Sequence, residues 1–129
     1  MAWGWRWAPS SRIPEKLCIN VWGDAAIGFT AWISRRRCGE RLPILSILLN
    51  NSSMAIELDI MPVATEKYRS TDISGHYADF ARALGGYGER VTASRRSCPR
   101  SSAASPPTER GQPALIEFIT SQEQEFSRL

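Results

Sequence analysis

Acidic residues are missing from three stretches of this 129-residue chain, 1–13, 31–39 and 93–107. Histidine occurs once, at His76, and cysteine three times, at Cys18, Cys38 and Cys98. A single histidine and widely spaced cysteines with no C-x-x-C pair exclude the usual zinc-ligand patterns. The odd cysteine number argues against a disulfide framework. Ile44 to Leu49 is too short and too polar-flanked to span a bilayer. The opening "MAWGWRWAPSSR" has no continuous apolar core before a small-residue cleavage site, so no secretory leader is read there and a cytoplasmic address is expected. The length suits one ordinary domain with a modest core.

What is present is unevenly distributed. The net charge is +3 and the isoelectric point near 9.0, a balance that raises the question of nucleic acid. The acid-free stretches hold Arg6, Arg12, Arg35, Arg36, Arg37, Arg95, Arg96 and Arg100, eight of the sixteen basic residues. Four of the five tryptophans (Trp3, Trp5, Trp7 and Trp32) fall there too. Elsewhere thirteen acids face eight bases, as in an ordinary acidic α/β protein. Two compositions are spliced together.

The intervening sequence reads as strands and helices. Leu17–Trp22 is an apolar run of strand length ending in the turn Gly23-Asp24-Ala25, and "RLPILSILLNN" is a second, bounded by Pro43 and Asn50–Asn51. Continuous rather than alternating apolar runs fit a parallel sheet covered on both faces. Parallel neighbours need a crossover of a dozen or so residues, and Thr30 to Arg41 has that length. A loop with a short helix around Ala55–Met61 is expected next. Then "SGHYADFARALGG" predicts a helix capped by Ser74, with Tyr77, Phe80, Ala81 and Leu84 on one stripe and Gly85–Gly86 as its stop. "ERVT" and "QPALIEFIT" read as strands, and 93–107 as a linker.

The intact pieces resemble the C-terminal cofactor-binding domain of thiamine-diphosphate enzymes of the acetolactate synthase type. That family carries a Gly-Asp-Gly or Gly-Asp-Ala turn, about two dozen residues, and then Asn-Asn. Here Gly23-Asp24-Ala25 is followed by a spacer of 24 residues and Asn50-Asn51. "YADFARALGGYGERV" and "GQPALIEFIT" also look like the family's closing elements, so the likeness covers about residues 14–129. The fold it implies is α/β, a Rossmann-like three-layer parallel sheet, partial and with irregular segments. The resemblance further implies thiamine diphosphate and Mg²⁺ as cofactors. The metal would take the Asp24 carboxylate, the Asn51 amide oxygen and the Ser53 backbone carbonyl. Gly23, Ala25, Ala26 and Met54 would lie against the cofactor, the N–H groups of Ala25 and Ala26 facing its diphosphate. Many relatives have serine where Ala26 stands. Hard oxygen ligands of this kind suit Mg²⁺.

The same resemblance explains the acid-free stretches. A family-like helix G-L-D-L-E-T-A-V-R, encoded GGC CTG GAT CTC GAG ACG GCG GTG CGG, becomes A-W-I-S-R-R-R-C-G when read one base later. That string is Ala31 through Gly39. The same shift turns E-P-A-E-L-P-A-L-K-R-G-I-A-A into Ser94 through Pro107, and L-G-L-A-L-G-A-K-L-A-H into Trp3 through Ile13. The expected organisation is therefore one partial cofactor-binding domain, 1–129, with 1–13, 31–39 and 93–107 out of frame. Arginine, serine and proline then stand where aliphatic residues should pack, which predicts a loose sheet of about four strands.

In the family the cofactor lies between this domain and a pyrimidine-binding domain of a partner chain, whose glutamate activates it. A homodimer or tetramer acting on a small 2-keto acid is thus implied, with no nucleic acid and no membrane. No catalytic residue is assigned to this chain, which is expected to be inactive alone. "SSMAIELDIM" departs from the acetolactate synthase pattern, so a decarboxylase or carboligase of another 2-keto acid fits as well. Of the remaining candidates, His76 reads as a capping or surface residue and Cys18 as a small core residue. Glu57 and Asp59 read as solvated loop carboxylates, while Met54 and Ile56 suit cofactor contact or packing equally. The competing class is a basic Arg/Trp-rich protein whose arginines contact nucleic-acid phosphates.

Overall fold

The computed structural model describes residues 16–58, 60–92, 108 and 110–122. The stretches 1–13 and 93–107, with Asp59, lie outside them.

Strand β1 (Cys18–Gly23) leads directly into helix α1 (Asp24–Thr30), which abuts α2 (Ile33–Gly39). Strand β2 (Ile44–Asn50) is followed by a 3₁₀ turn (Ala55–Glu57), α3 (Pro62–Tyr68), α4 (Tyr77–Ala83), β3 (Tyr87–Val91) and β4 (Ala114–Ile119). The four strands form one sheet in the order β1-β2-β4-β3, and every pairing is parallel. This is the α/β fold expected from the apolar runs.

The register divides the strands into two faces, because successive side chains alternate. On one face Trp22, Leu48 and Leu115 pack against Ile27 of α1 and Ala81 of α4, with Ala31 and Tyr77 alongside. On the other, Leu45, Ala114 and Ile116 gather Ile47, Tyr87, Val91 and Phe118. Helix α4 sits close on β3 because residue 88 is glycine: a Cβ there would overlap the Ala78 carbonyl oxygen.

Four expectations are corrected. β1 is an edge strand with alternating burial, and Ile19 and Val21 are exposed. Cys18 is only half-buried, on the face that carries Trp22, so it is not a core residue. Helix α4 starts three residues after Ser74, with His76 preceding it and no side-chain cap. The expected helix at Ala55–Met61 is a single 3₁₀ turn, and α3 follows where none was expected.

Within the crossover, Ile33–Gly39 is helical in spite of its arginines. Arg37 is buried, with its guanidinium carbon 5.1 Å from the centre of the Trp22 ring and its Nη1 donating to Ser46 Oγ at 3.3 Å. Arg36 faces outward and pairs with Glu40 at 2.7 Å. Trp32 meets Phe80 of α4 edge-on, ring centres 5.9 Å apart.

Candidate cofactor and metal site

Gly23 pairs with Leu49, so Asp24 and the asparagine pair leave the sheet side by side at the carboxyl ends of adjacent parallel strands. Ligands of open α/β sheets bind at such ends. Nothing lies within 4 Å of where a Cβ on Gly23 would be, so the main chain there is open to close approach.

Asp24 opens α1 and is 4% exposed. Its Oδ1 accepts the Ala25 N–H at 2.9 Å. Its Oδ2 is buried and has no hydrogen-bond partner, an arrangement that costs free energy unless something else supplies positive charge. Tyr77 Oη donates to the Asp24 main-chain oxygen at 3.4 Å. Burial holds the Tyr77 hydroxyl above its usual pKa range, and the charges of Asp24 and Glu117 push the same way.

The two asparagines point to different tasks. Asn51 is half-buried and its Oδ1 accepts the Ser53 N–H at 3.0 Å, a local turn of the kind asparagine favours. Asn50 is buried and turns inward: Nδ2 donates to Glu117 Oε1 at 2.7 Å, and Oδ1 accepts from the Ser52 N–H at 3.0 Å and hydroxyl at 3.3 Å. Ser52 holds φ 59°, and Ser53 is buried and bridged to Asp72. Met54 is half-buried, its N–H donating to the Thr71 carbonyl at 2.8 Å. Ala25 is half-buried and Ala26 exposed in the first turn of α1.

The structure thus sets Gly23, Asp24, Ala25 and Ala26 at the end of one strand, and Asn51, Ser53 and Met54 past the end of its parallel neighbour. Among the described residues no group of three His, Cys, Asp or Glu could hold a metal. The donors on offer are one carboxylate with amide and carbonyl oxygens, a hard set suited to Mg²⁺ and unsuited to zinc. The orphaned Asp24 oxygen fits such an ion.

Glu57 is half-buried in the 3₁₀ turn that also holds Ile56. His76 is exposed, with its Nδ1 2.8 Å from Arg90 Nη1. The sequence reading passed over Glu117, which is fully buried. A lone acid at the centre of the apolar run "ALIEFI" was the available signal.

The family described as "Thiamine pyrophosphate enzyme, C-terminal TPP binding domain" matches residues 1–118. Among solved structures, the thiamine diphosphate-dependent 4-hydroxybenzoylformate decarboxylase of Rhodococcus jostii RHA1 has a similar fold, with a TM-score of 0.71 at 16% identity. Benzoylformate decarboxylase from Polynucleobacter necessarius gives 0.74 at 11%. The likeness covers 93% of this chain in both cases but only 23% and 22% of those proteins, so the chain spans under a quarter of their length. No curated protein matches by sequence. With the family match extending over nearly the whole chain, this protein belongs to the thiamine pyrophosphate enzymes, as a C-terminal TPP-binding domain.

Proposed function

We propose that the chain forms the diphosphate- and Mg²⁺-holding part of an acetolactate synthase-like carboligase or decarboxylase of 2-keto acids. The observation that carries the reading is the buried Asp24 Oδ2 without a partner, beside the turn that holds Asn51 and Ser53. Asp24, the Asn51 amide oxygen and the Ser53 carbonyl would hold the cation. Ala25 and Ala26, in the first turn of the helix that Asp24 opens, would lie against the diphosphate, with Gly23 leaving room and Met54 flanking the cofactor. Thiamine diphosphate, when bound, supplies the carbanion chemistry by which 2-keto acids are decarboxylated or joined. This chain's own residues anchor and orient it, and the group that activates its pyrimidine comes from another domain. A homodimer or tetramer in the cytoplasm is the proposed setting.

Of the arginines at 35–37, Arg37 is buried against Trp22, Arg36 pairs with Glu40 at the surface and Arg35 is exposed. Calorimetric titration of the full chain with thiamine diphosphate, with Mg²⁺ and with chelator, tests the proposal. Binding should require Mg²⁺ and weaken at least about tenfold in Asp24→Ala, the loss of one charged ligand. Metal-independent binding, or equal binding by the variant, overturns it.

A further inference from the structure

Glu117 has no exposed surface and is not among the groups assigned to the cation or the diphosphate. Its neighbours in register are Leu48 on β2 and Arg90 on β3. A buried carboxylate persists only where donors compensate for its lost hydration. Here they come from two separate elements. Oε1 accepts from Asn50 Nδ2 at 2.7 Å, and Oε2 accepts the N–H of Ala78, in the first turn of α4, at 3.1 Å. Arg90 Nε stands 3.8 Å from Oε1, beyond hydrogen-bond length.

With Nδ2 engaged, the Asn50 amide has one orientation, and its Oδ1 accepts both the N–H and the hydroxyl of Ser52. Ser52 is thereby held at φ 59°, a left-handed conformation that is strained for a non-glycine residue. Asn51 and Ser53 flank it. The bonds thus run without a gap from α4, through Glu117 and Asn50, to the turn at 51–53.

We propose that Glu117 is a positioning residue: by fixing the Asn50 amide it pre-sets the 51–53 turn that presents the cation's amide and carbonyl oxygens. The role rests on the cofactor reading above and deepens it. Glu117 touches neither cation nor cofactor and acts through Asn50.

Glu117→Gln keeps the shape but has one acceptor for two donors, so one N–H is left facing another N–H. The double variant Glu117→Gln/Asn50→Asp transposes amide and carboxylate. The new amide donates to the new carboxylate and accepts from Ala78, while Ser52 keeps its acceptor. The first readout is amide hydrogen exchange in the metal-free chain. The single variant should exchange roughly tenfold faster at Ser52 and Ser53, because the hydrogen bonds that hold the turn are weakened there. The sheet amides of Leu48 and Ile116 should stay near wild type, and the double variant should recover. The second readout is the Mg²⁺ concentration for half-maximal thiamine diphosphate binding, which should rise and recover in parallel. Unchanged exchange at Ser52 and Ser53 overturns the proposal, as does equal acceleration of the sheet amides or a double variant no better than the single. If wild-type chain binds no cofactor while the exchange pattern behaves as stated, the control of the turn by Glu117 stands and the cofactor reading falls.

Discussion

The Arg37 guanidinium carbon lies 5.1 Å from the centre of the Trp22 ring, and both side chains are buried. Three consecutive arginines in a sheet-covering helix would be expected to leave unpaired charge in the core. Instead the charged end of Arg37 meets the ring face and Ser46 Oγ.

Arg37→Ala is therefore expected to destabilise the chain by about 2–3 kcal/mol, from lost packing, cation–π attraction and an abandoned serine hydroxyl. Arg36→Ala, whose pairing with Glu40 is exposed, should change stability by less than about 0.5 kcal/mol. Urea denaturation of both checks the contrast; equal losses would refute the packing of Arg37.

Asp24→Asn should separate stability from binding. The amide relieves the buried, unpartnered Oδ2 of its charge, so the cofactor-free chain should be as stable as wild type or about 1 kcal/mol more so. Mg²⁺-dependent cofactor binding should weaken sharply in the same variant. Thermal melts with and without Mg²⁺ and thiamine diphosphate read both effects.

Gly88→Ala tests the seating of α4. The added methyl would overlap main-chain atoms of Ala78, which cannot yield without moving the helix. Arg82 Nε, bonded to the Gly88 carbonyl at 2.9 Å, resists that movement. A loss of about 2–3 kcal/mol is expected, against near-neutral behaviour for Gly28→Ala, where a Cβ meets nothing within 4 Å.

Burial pushes the Cys38 thiol above its ordinary pKa, with Arg37 partly offsetting the rise. The folded chain therefore keeps this proton at a pH where the unfolded chain gives it up. The associated stability is fully present below the unfolded value and disappears as pH rises through the folded one. Urea midpoints should fall over roughly pH 8–10, the range of thiol ionisation, and fall less in Cys38→Ala. Site-resolved alkylation near pH 8 should be slower at Cys38 than in the denatured chain.

The gene itself tests the proposed origin of the acid-free stretches. The DNA encoding Ala31–Gly39, read from the neighbouring frame, should give a helix close to G-L-D-L-E-T-A-V-R. Sequencing that returns unrelated codons at 31–39, 94–107 and 3–13 would end the frameshift account.

The sheet was legible because β2 and β4 are nearly unbroken apolar runs, and only one alternative, a buried helix, competes with such a pattern. Helix α3 was not legible because it buries no residue and so carries no apolar stripe to find. Ser74 has the composition of a cap, yet residues 73–76 take no regular structure and α4 begins only at Tyr77. At the candidate site, Asp24 stands out in the sequence by its turn. Sequence alone could not say which asparagine of the pair turns inward, since that depends on Glu117, sixty-seven residues from Asn50.

Among the described residues the sheet contains no hairpin, and its central pairing joins Leu45 to Ala114. Each ladder must close a large loop before any contact rewards it, which makes this topology slow to assemble. On the ribosome β1 and β2 can pair first, leaving the other edge of β2 bare until β4 emerges. For that interval the nascent chain presents the open backbone edge of Ile44–Asn50 to any strand nearby, so its yield in the cell depends on the speed of synthesis and on chaperone cover as much as on the finished fold.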